Sequence, residues 1–486
     1  MSVRRSLVLS FAQRYTGLIL QFGATLILSR LLTPHEIGVF SVCAAMVAIA
    51  HTLRDFGVSD YLIQEQELTH DRIRAAFTLT LCIAWSLALL LWLLSGVLAD
   101  FYREPALAQV LPVLAANFVL LPVGSPAFAL LSREMAFGRI YIIQTSAGLV
   151  QSGTAVALAY AKFSSLSLAL GSLAGTVVTV VLAAWFRPRD TLLWPGLREW
   201  RHVTRFTVFA SGSSLINEIT RNAHEFVLGR VLGFASVGLY SRASGLIETF
   251  HSSITAAIIR VMLPAYAQAK RGGGTDVRAR FVLSGTLFAA IACPFFAVVF
   301  VLADPLIRVL FGDQWLAAIP VMQLLAINAI IYTFWAFAPQ ALTVSGAIRS
   351  RFRIQVMMSP IQVALVVVAA HFGLIWVAVA STGTNLMMVA LHARALHWAI
   401  GYTWGDLMRT MRSTFPIVSG SALIPALIAM LWPAQQLGGL LELMLGGLGA
   451  SVGWLGAVLL LSHPLRPELL RAWDMMRRRL AASRGS

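Results

Sequence analysis

The chain has 486 residues, of which 58% are hydrophobic and 12% charged, with a mean hydropathy of +0.77. That balance excludes a soluble globular protein. The formal net charge of +16 could point to nucleic acid, but its distribution along the chain follows membrane topology instead.

A window of ~19 residues separates fourteen apolar spans, each near the ~20 residues needed to cross ~30 Å of hydrocarbon. They run roughly over 7–29, 37–56, 75–99, 108–131, 140–161, 164–186, 205–229, 235–260, 281–303, 317–342, 354–372, 374–395, 413–432 and 437–461. The expected class is an all-α polytopic membrane protein with about 14 transmembrane helices. With a cytoplasmic N-terminus, only Arg30, Arg103, Lys162, Arg230 and Arg308 fall in outer turns. Arg14, Arg221, Arg242 and Arg260 fall within spans, and every other Lys or Arg lies in a cytoplasmic segment or, for Arg54, Arg205 and Arg394, at the cytoplasmic end of a span. This obeys the positive-inside rule and puts both termini in the cytoplasm. Met1 to Arg5 is like the charged start of a signal peptide, but Gln13 and Arg14 interrupt the apolar run and no small-x-small site follows, so the first helix is expected to stay.

Span 1 carries Ser10, Arg14, Gly17, Gln21 and Thr25 along one stripe at helical spacing. In the turn that follows, Thr33 and Pro34 supply an N-cap and a first-turn proline for span 2. Spans 3 to 6 read as more uniformly apolar walls, with Gly171 and Gly175 able to bring span 6 close to a neighbour. The basic segment Arg187 to His202 is the seam between two halves. A second observation supports that seam: at an offset of 200, Ile27–Ser41 aligns with Val227–Ser241, with Leu28/Leu228, Arg30/Arg230, Leu32/Leu232, Gly38/Gly238 and Ser41/Ser241 identical. Both copies start from the cytoplasm, so they are parallel repeats about an axis along the membrane normal. The domains expected are 1–190 and 191–400 as two six-helix lobes, 401–465 as two extra helices, and 466–486 as a basic cytoplasmic tail lying on anionic lipid.

Span 7 holds the densest intramembrane polarity, Asn217, Glu218, Arg221, Asn222, His224 and Glu225. A charge at the bilayer centre costs at least ~2.5 kcal/mol, so such residues face protein or a watery cavity. At 100° per residue, Ser211, Ser214, Glu218, Arg221, Asn222 and Glu225 share one face. Span 8 adds Arg242, Glu248, His251 and Arg260, and segment 262–280 reads as a Gly-rich basic turn. His51, His224 and His251 read as packing residues, and Trp92, Trp185, Trp315 and Trp376 as interfacial anchors. Cys43, Cys82 and Cys293 each fall in a different apolar run without CxxC or metal spacing.

The segments LSRLLTPHEIGVFS, LGRVLGFASVGLYSRASGL and RVMLPAYAQ resemble signatures of bacterial polysaccharide flippases, members of the multidrug, oligosaccharidyl-lipid and polysaccharide exporter superfamily. The resemblance implies a V-shaped pair of lobes around a cavity lined by spans 1, 2, 7 and 8, opening alternately to cytoplasm and periplasm. The cargo it implies is an undecaprenyl-diphosphate-linked oligosaccharide repeat unit, moved across the inner membrane for capsule, O-antigen or exopolysaccharide synthesis. The partners implied are that lipid, a polysaccharide polymerase and glycosyltransferases, with no nucleic acid.

A lipid diphosphate needs cations at the midplane, and Arg suits it through bidentate contacts and a charge that survives burial. Arg14, Gln21, Arg221 and Arg242 are the candidate cargo contacts. Arg221 has a competing reading, because Glu218 and Glu225 stand three and four residues away and can neutralise it. Glu218 and Glu225 are in turn candidates for binding a coupling H⁺ or Na⁺, since burial raises a carboxyl pKa whereas pairing lowers it. No catalytic residue, metal site or cofactor is expected: no hydrolase constellation is present, GxxxxGK[ST] is absent, and no outer turn exceeds ~15 residues. The alternatives are a cation-coupled multidrug extruder of the same superfamily, which would want an anionic cavity, and a peptidoglycan-precursor flippase.

Overall fold

The computed structural model describes residues 3–55, 69–186, 196, 215–271, 276–431, 438–461, 463–471 and 473–474. Among these it is helical throughout, without strands. Two compact units emerge, Met1–Leu239 and Tyr240–Ser486.

The first unit contains α1 (Val3–Leu31), α2 (Pro34–Asp55), α3 (His70–Tyr102), α4 (Leu107–Arg133), α5 (Phe137–Tyr160), α6 (Leu166–Trp185) and α7 (Ala223–Val231). Its walls pack as neighbours: α3 on α4, α4 on α6, α5 on α6, and α1 on α5. The expected start of α2 is present as a reciprocal cap. Thr33 N–H donates to Glu36 Oε2 at 2.8 Å, and Glu36 N–H donates to Thr33 Oγ1 at 3.3 Å, which satisfies two donors that a helix start leaves orphaned. Gly171 and Gly175 do let α6 approach α5. A Cβ on Gly171 would meet Ala155 Cβ at 2.8 Å, and one on Gly175 would meet Gln151 Cβ at 2.9 Å.

The second unit contains α8 (Phe234–Phe250, which begins in the first unit), a π-helical turn (His251–Thr255), α9 (Ala256–Arg271), α10 (Asp276–Val301), α11 (Ala303–Leu310), a 3₁₀ turn (Asp313–Ala318), α12 (Ile319–Thr333), α13 (Ala338–Ser345), α14 (Ile348–Ala370), α15 (Leu374–Ile400), α16 (Trp404–Leu431) and α17 (Gly439–Leu460). The two C-terminal helices pack on each other and on α10. Trp454 Nε1 donates to the Ala290 carbonyl at 2.8 Å, and Arg278 bridges to Asp406 at 2.8 Å.

Eleven helices among the described residues are long and apolar enough to cross a membrane. Three of the fourteen expected spans are outside that set. Span 1 is the helix α1 with its polar stripe. Span 5 is α5, where Gln144, Thr145, Ser146, Gln151, Ser152 and Thr154 dilute the apolar residues, so α5 departs from the uniformly apolar wall expected of it. Span 7 is described only from residue 215 on, and outside the described residues lie the seam from Arg187 to His202 apart from Gly196, most of the turn at 54–67, and the tail from 475 on.

Two further expectations are corrected. The described part of segment 262–280 is helix rather than turn: helix continues from Phe234 through the π turn to Arg271, about 57 Å at 1.5 Å per residue, and residues 272–275 lie outside the described residues. Tyr266 inside it is fully buried, with its hydroxyl hydrogen-bonded to Ser284 at 2.5 Å. This stretch of helix packs against α10. Trp315 is not an interfacial anchor, being 0% exposed, whereas Trp92, Trp185 and Trp376 are exposed as expected.

Candidate functional site

In the first unit, the polar stripe of α1 faces partly outward. Arg14 is half-buried, Gln21 is exposed, and Gly17 has open space around it. Beside Arg14, the Gln13 amide is hydrogen-bonded to Gln144 of α5, so the polar residues that lower the hydropathy of the two helices meet between them.

The segment 215–231 is helical but interrupted. Residues 215–221 form a helix that breaks at Asn222, whose φ of −91° and ψ of 7° leave helical geometry, and α7 resumes at Ala223. Asn222 explains the interruption: its side-chain amide donates to the Glu218 carbonyl at 2.8 Å and to Glu218 Oε1 at 2.9 Å. An asparagine that bonds local backbone offers the chain an alternative to helix. The Glu218 carboxylate is therefore engaged by Asn222. Asn217 and Arg221 are exposed, Glu218 and Glu225 half-buried, and Thr220, Ala223 and His224 buried. Of the expected polar face, Arg221 is exposed and Glu218, Asn222 and Glu225 are half-buried, while Ser211 and Ser214 lie outside the described residues. His224 is buried, in keeping with packing.

Arg242 belongs to the second unit. Its guanidinium lies 5.6 Å from the ring centroid of buried Trp315 and 6.0 Å from that of Phe311, and its Nε is buried with no hydrogen-bond partner among the described residues. Aromatic faces attract a desolvated cation by about 2 kcal/mol. Nearby in sequence, Arg308 holds Asp304 at 3.0 Å and Asp313 at 3.0 Å, fixing the turn that carries Trp315.

One set of residues was missed at the level of sequence. His251 sits in the π turn, and its ring centroid is 4.7 Å from that of Tyr332. Tyr332 is 4.8 Å from Trp335, and Trp335 stacks on His392 at 4.8 Å with an interplanar angle of 18°. Trp335 Nε1 donates to Asn385 Oδ1 at 3.1 Å, and the Asn385 amide bonds Asn328. Asn328, Tyr332 and Trp335 recur at i, i+4 and i+7, a helical face that could have been noticed. Their joining to α15 and to the π turn is not visible in sequence.

A family model described as polysaccharide biosynthesis protein matches residues 27–320. The lipopolysaccharide biosynthesis protein WzxC of Escherichia coli is 27% identical over 63% of this chain, and the succinoglycan biosynthesis transport protein ExoT of Rhizobium meliloti is 27% identical over 65%. The teichuronic acid biosynthesis protein TuaB of Bacillus subtilis is 24% identical over 64% of the chain. The matched regions span 62%, 63% and 65% of those relatives' own lengths. Among solved structures, the lipid II flippase MurJ in an inward closed conformation superposes with a TM-score of 0.73 at 11% identity, covering 92% of this chain and 98% of MurJ. An inward-facing multidrug resistance MATE family transporter gives 0.63 at 16% identity, covering 82% and 95%. At these identities the likeness establishes a shared MurJ/MATE fold, and the matched family model identifies the chain: it belongs to the polysaccharide biosynthesis protein family.

Proposed function

We propose that the chain is an inner-membrane flippase. It moves undecaprenyl-diphosphate-linked oligosaccharide repeat units from the cytoplasmic to the periplasmic leaflet by alternating access, for capsule, O-antigen or exopolysaccharide synthesis. The observation that carries this reading is the polar break at Asn222 within an otherwise membrane-length segment, flanked by exposed Arg221 and half-buried Glu218 and Glu225. Discontinuous helices are where transporters place substrate and ion contacts. Family membership and the MurJ/MATE fold support the same reading.

In this scheme Arg14, Gln21 and Arg221 meet the diphosphate and its hydration, and Arg242 serves the second half. Glu218 and Glu225 exchange a coupling H⁺ or Na⁺, and no other cofactor is needed. Both termini are cytoplasmic, lobes 1–190 and 191–400 alternate, helices 401–465 are additions, and the tail 466–486 lies on the membrane. A polymerase and glycosyltransferases act after and before it.

The test is purified protein in proteoliposomes, scoring transfer of a fluorescent lipid-diphosphate oligosaccharide between leaflets, with Arg14→Ala and Arg221→Ala alongside. Transfer by wild type that collapses in both variants is the expected result. No lipid transfer, with a cationic dye pumped against H⁺ or Na⁺, would establish the multidrug reading in its place.

A further inference from the structure

The ring-and-amide group of the second unit is used by none of the roles above. His251, Tyr332, Trp335 and His392 stand in a row, with successive centroids 4.7, 4.8 and 4.8 Å apart. His392 is buried and backs the indole, its own Nδ1 lying 2.9 Å from the Met388 carbonyl oxygen. The indole N–H is held by Asn385, and Asn385 by Asn328. Trp335 is thus fixed in plane and in height by α15 while remaining partly exposed, as are Asn328, Tyr332 and Asn385.

Two readings compete. An amide pair between membrane helices can be glue, and that accounts for Asn328 and Asn385. It does not account for an aromatic row left partly open beside them. Amides and an indole N–H are costly against hydrocarbon, so an open face of this composition suits a hydrated path. The group also sits where helical regularity fails twice, in the π turn His251–Thr255 and at the break between α12 and α13. Both kinds of interruption are associated with function.

We propose that Trp335, with Tyr332, Asn328 and Asn385, forms a seat for one sugar ring of the cargo glycan. This rests on the flippase reading and adds to it a contact for the part of the cargo that bears no phosphate. A pyranose has an apolar C–H face and a rim of hydroxyls. A rigid aromatic plane with carboxamides alongside matches both, because the plane takes the C–H face and the amides both donate to and accept from hydroxyls. None of the four side chains carries a formal charge, so the seat suits neutral sugars and leaves the diphosphate to the arginines.

The experiment measures binding of two lipids to the full chain in nanodiscs: a polyprenyl diphosphate carrying a neutral oligosaccharide, and the same polyprenyl diphosphate bare. Wild type is expected to prefer the glycosylated lipid by about tenfold, the worth of one good aromatic contact. Trp335→Leu brings the ratio to about one, whereas Trp335→Phe, which keeps a flat ring, retains most of it and shows that the site tolerates substitution. A ratio of one in wild type, or a ratio unaltered by Trp335→Leu, overturns the seat while leaving the flippase reading intact. Failure of wild type to bind either lipid overturns the flippase reading, and the seat with it.

Discussion

Gly38 and Gly238 are reciprocal contacts. A Cβ on Gly38 would run into the carbonyl oxygen of Phe234, and a Cβ on Gly238 would run into that of Pro34. Pro34 and Phe234 are the first residues of α2 and α8, and all four positions obey the offset of 200 that relates the two sequence copies. Two helix starts therefore cross backbone to backbone about a local two-fold, and only the absence of side chains permits that approach. His35 and Tyr102 close around the same point, with ring centroids 5.8 and 6.0 Å from that of Phe234, and His35 Nε2 lies 2.9 Å from Glu104 Oε2.

Because the obstacle at each glycine is backbone rather than a movable side chain, Gly38→Ala and Gly238→Ala should each cost about 1–3 kcal/mol of stability. The double variant should cost less than the sum, since one separation of the helices relieves both clashes. Melting of the three variants in detergent checks this; alanine tolerated without a shift at either position would rule out the close crossing.

Arg242 gives a prediction that separates packing from cargo contact. Its position against Trp315 and Phe311 means that Arg242→Ala and Trp315→Ala should each lower the melting midpoint and couple in a double-mutant cycle, by about 1–2 kcal/mol. If Arg242 instead serves only cargo, transport falls with no coupling to Trp315.

The pair Arg278 and Asp406 anchors the start of α16 to α10. The Asp406 carboxylate also accepts from Thr403 N–H at 3.0 Å and from Thr403 Oγ1 at 3.0 Å. Asp406→Asn keeps the shape but weakens charge-assisted bonds, and should cost about 1–3 kcal/mol. Protease nicking near residues 400–404 should increase first, because the capped turn opens before the helix does; an unchanged cleavage rate would count against the anchoring role.

Acid sensitivity should come from His463, just beyond α17. Burial pushes its imidazole below its ordinary value, and its Nδ1 accepts from Leu465 N–H at 3.1 Å, a bond available only to the deprotonated nitrogen. With the folded-state pKa depressed, its contribution is fully present above the unfolded value near ~6.5. It is lost as pH falls from there through the lower folded-state value. Thermal midpoints measured from pH 7.5 to pH 5 should fall for wild type and fall less for His463→Gln; parallel curves would refute this assignment.

Glu218→Gln addresses ion coupling. The glutamine oxygen still accepts from the Asn222 amide, so stability should move by no more than about 0.5 kcal/mol. Transport should lose its dependence on the H⁺ or Na⁺ gradient, and transport that keeps this dependence would exclude Glu218 from the coupling role.

Composition and periodicity alone determined that this is a helical membrane protein, where most of its spans lie, that α2 starts at a Thr33 cap, and that Gly171 and Gly175 sit at a helix contact. These features follow from local chemistry: apolar length, capping geometry and side-chain size act within one helix or one turn. The identical residues at offset 200 likewise marked Gly38 and Gly238 as related before any contact was known. What tertiary structure decided is every relation between groups distant in sequence. The break at Asn222 is different in kind, a local bond of its amide to the Glu218 carboxylate and carbonyl four residues back, which hydropathy does not weigh. Residues 262–271, read as part of a turn, are helix, with Tyr266 buried against Ser284. Trp315 is turned inward, with the Arg242 guanidinium 5.6 Å from its ring centroid. His251, read as packing, joins Tyr332, Trp335 and His392 only because a π turn and a broken helix bring three separate spans together, and hydropathy carries no signal for a side chain's partner.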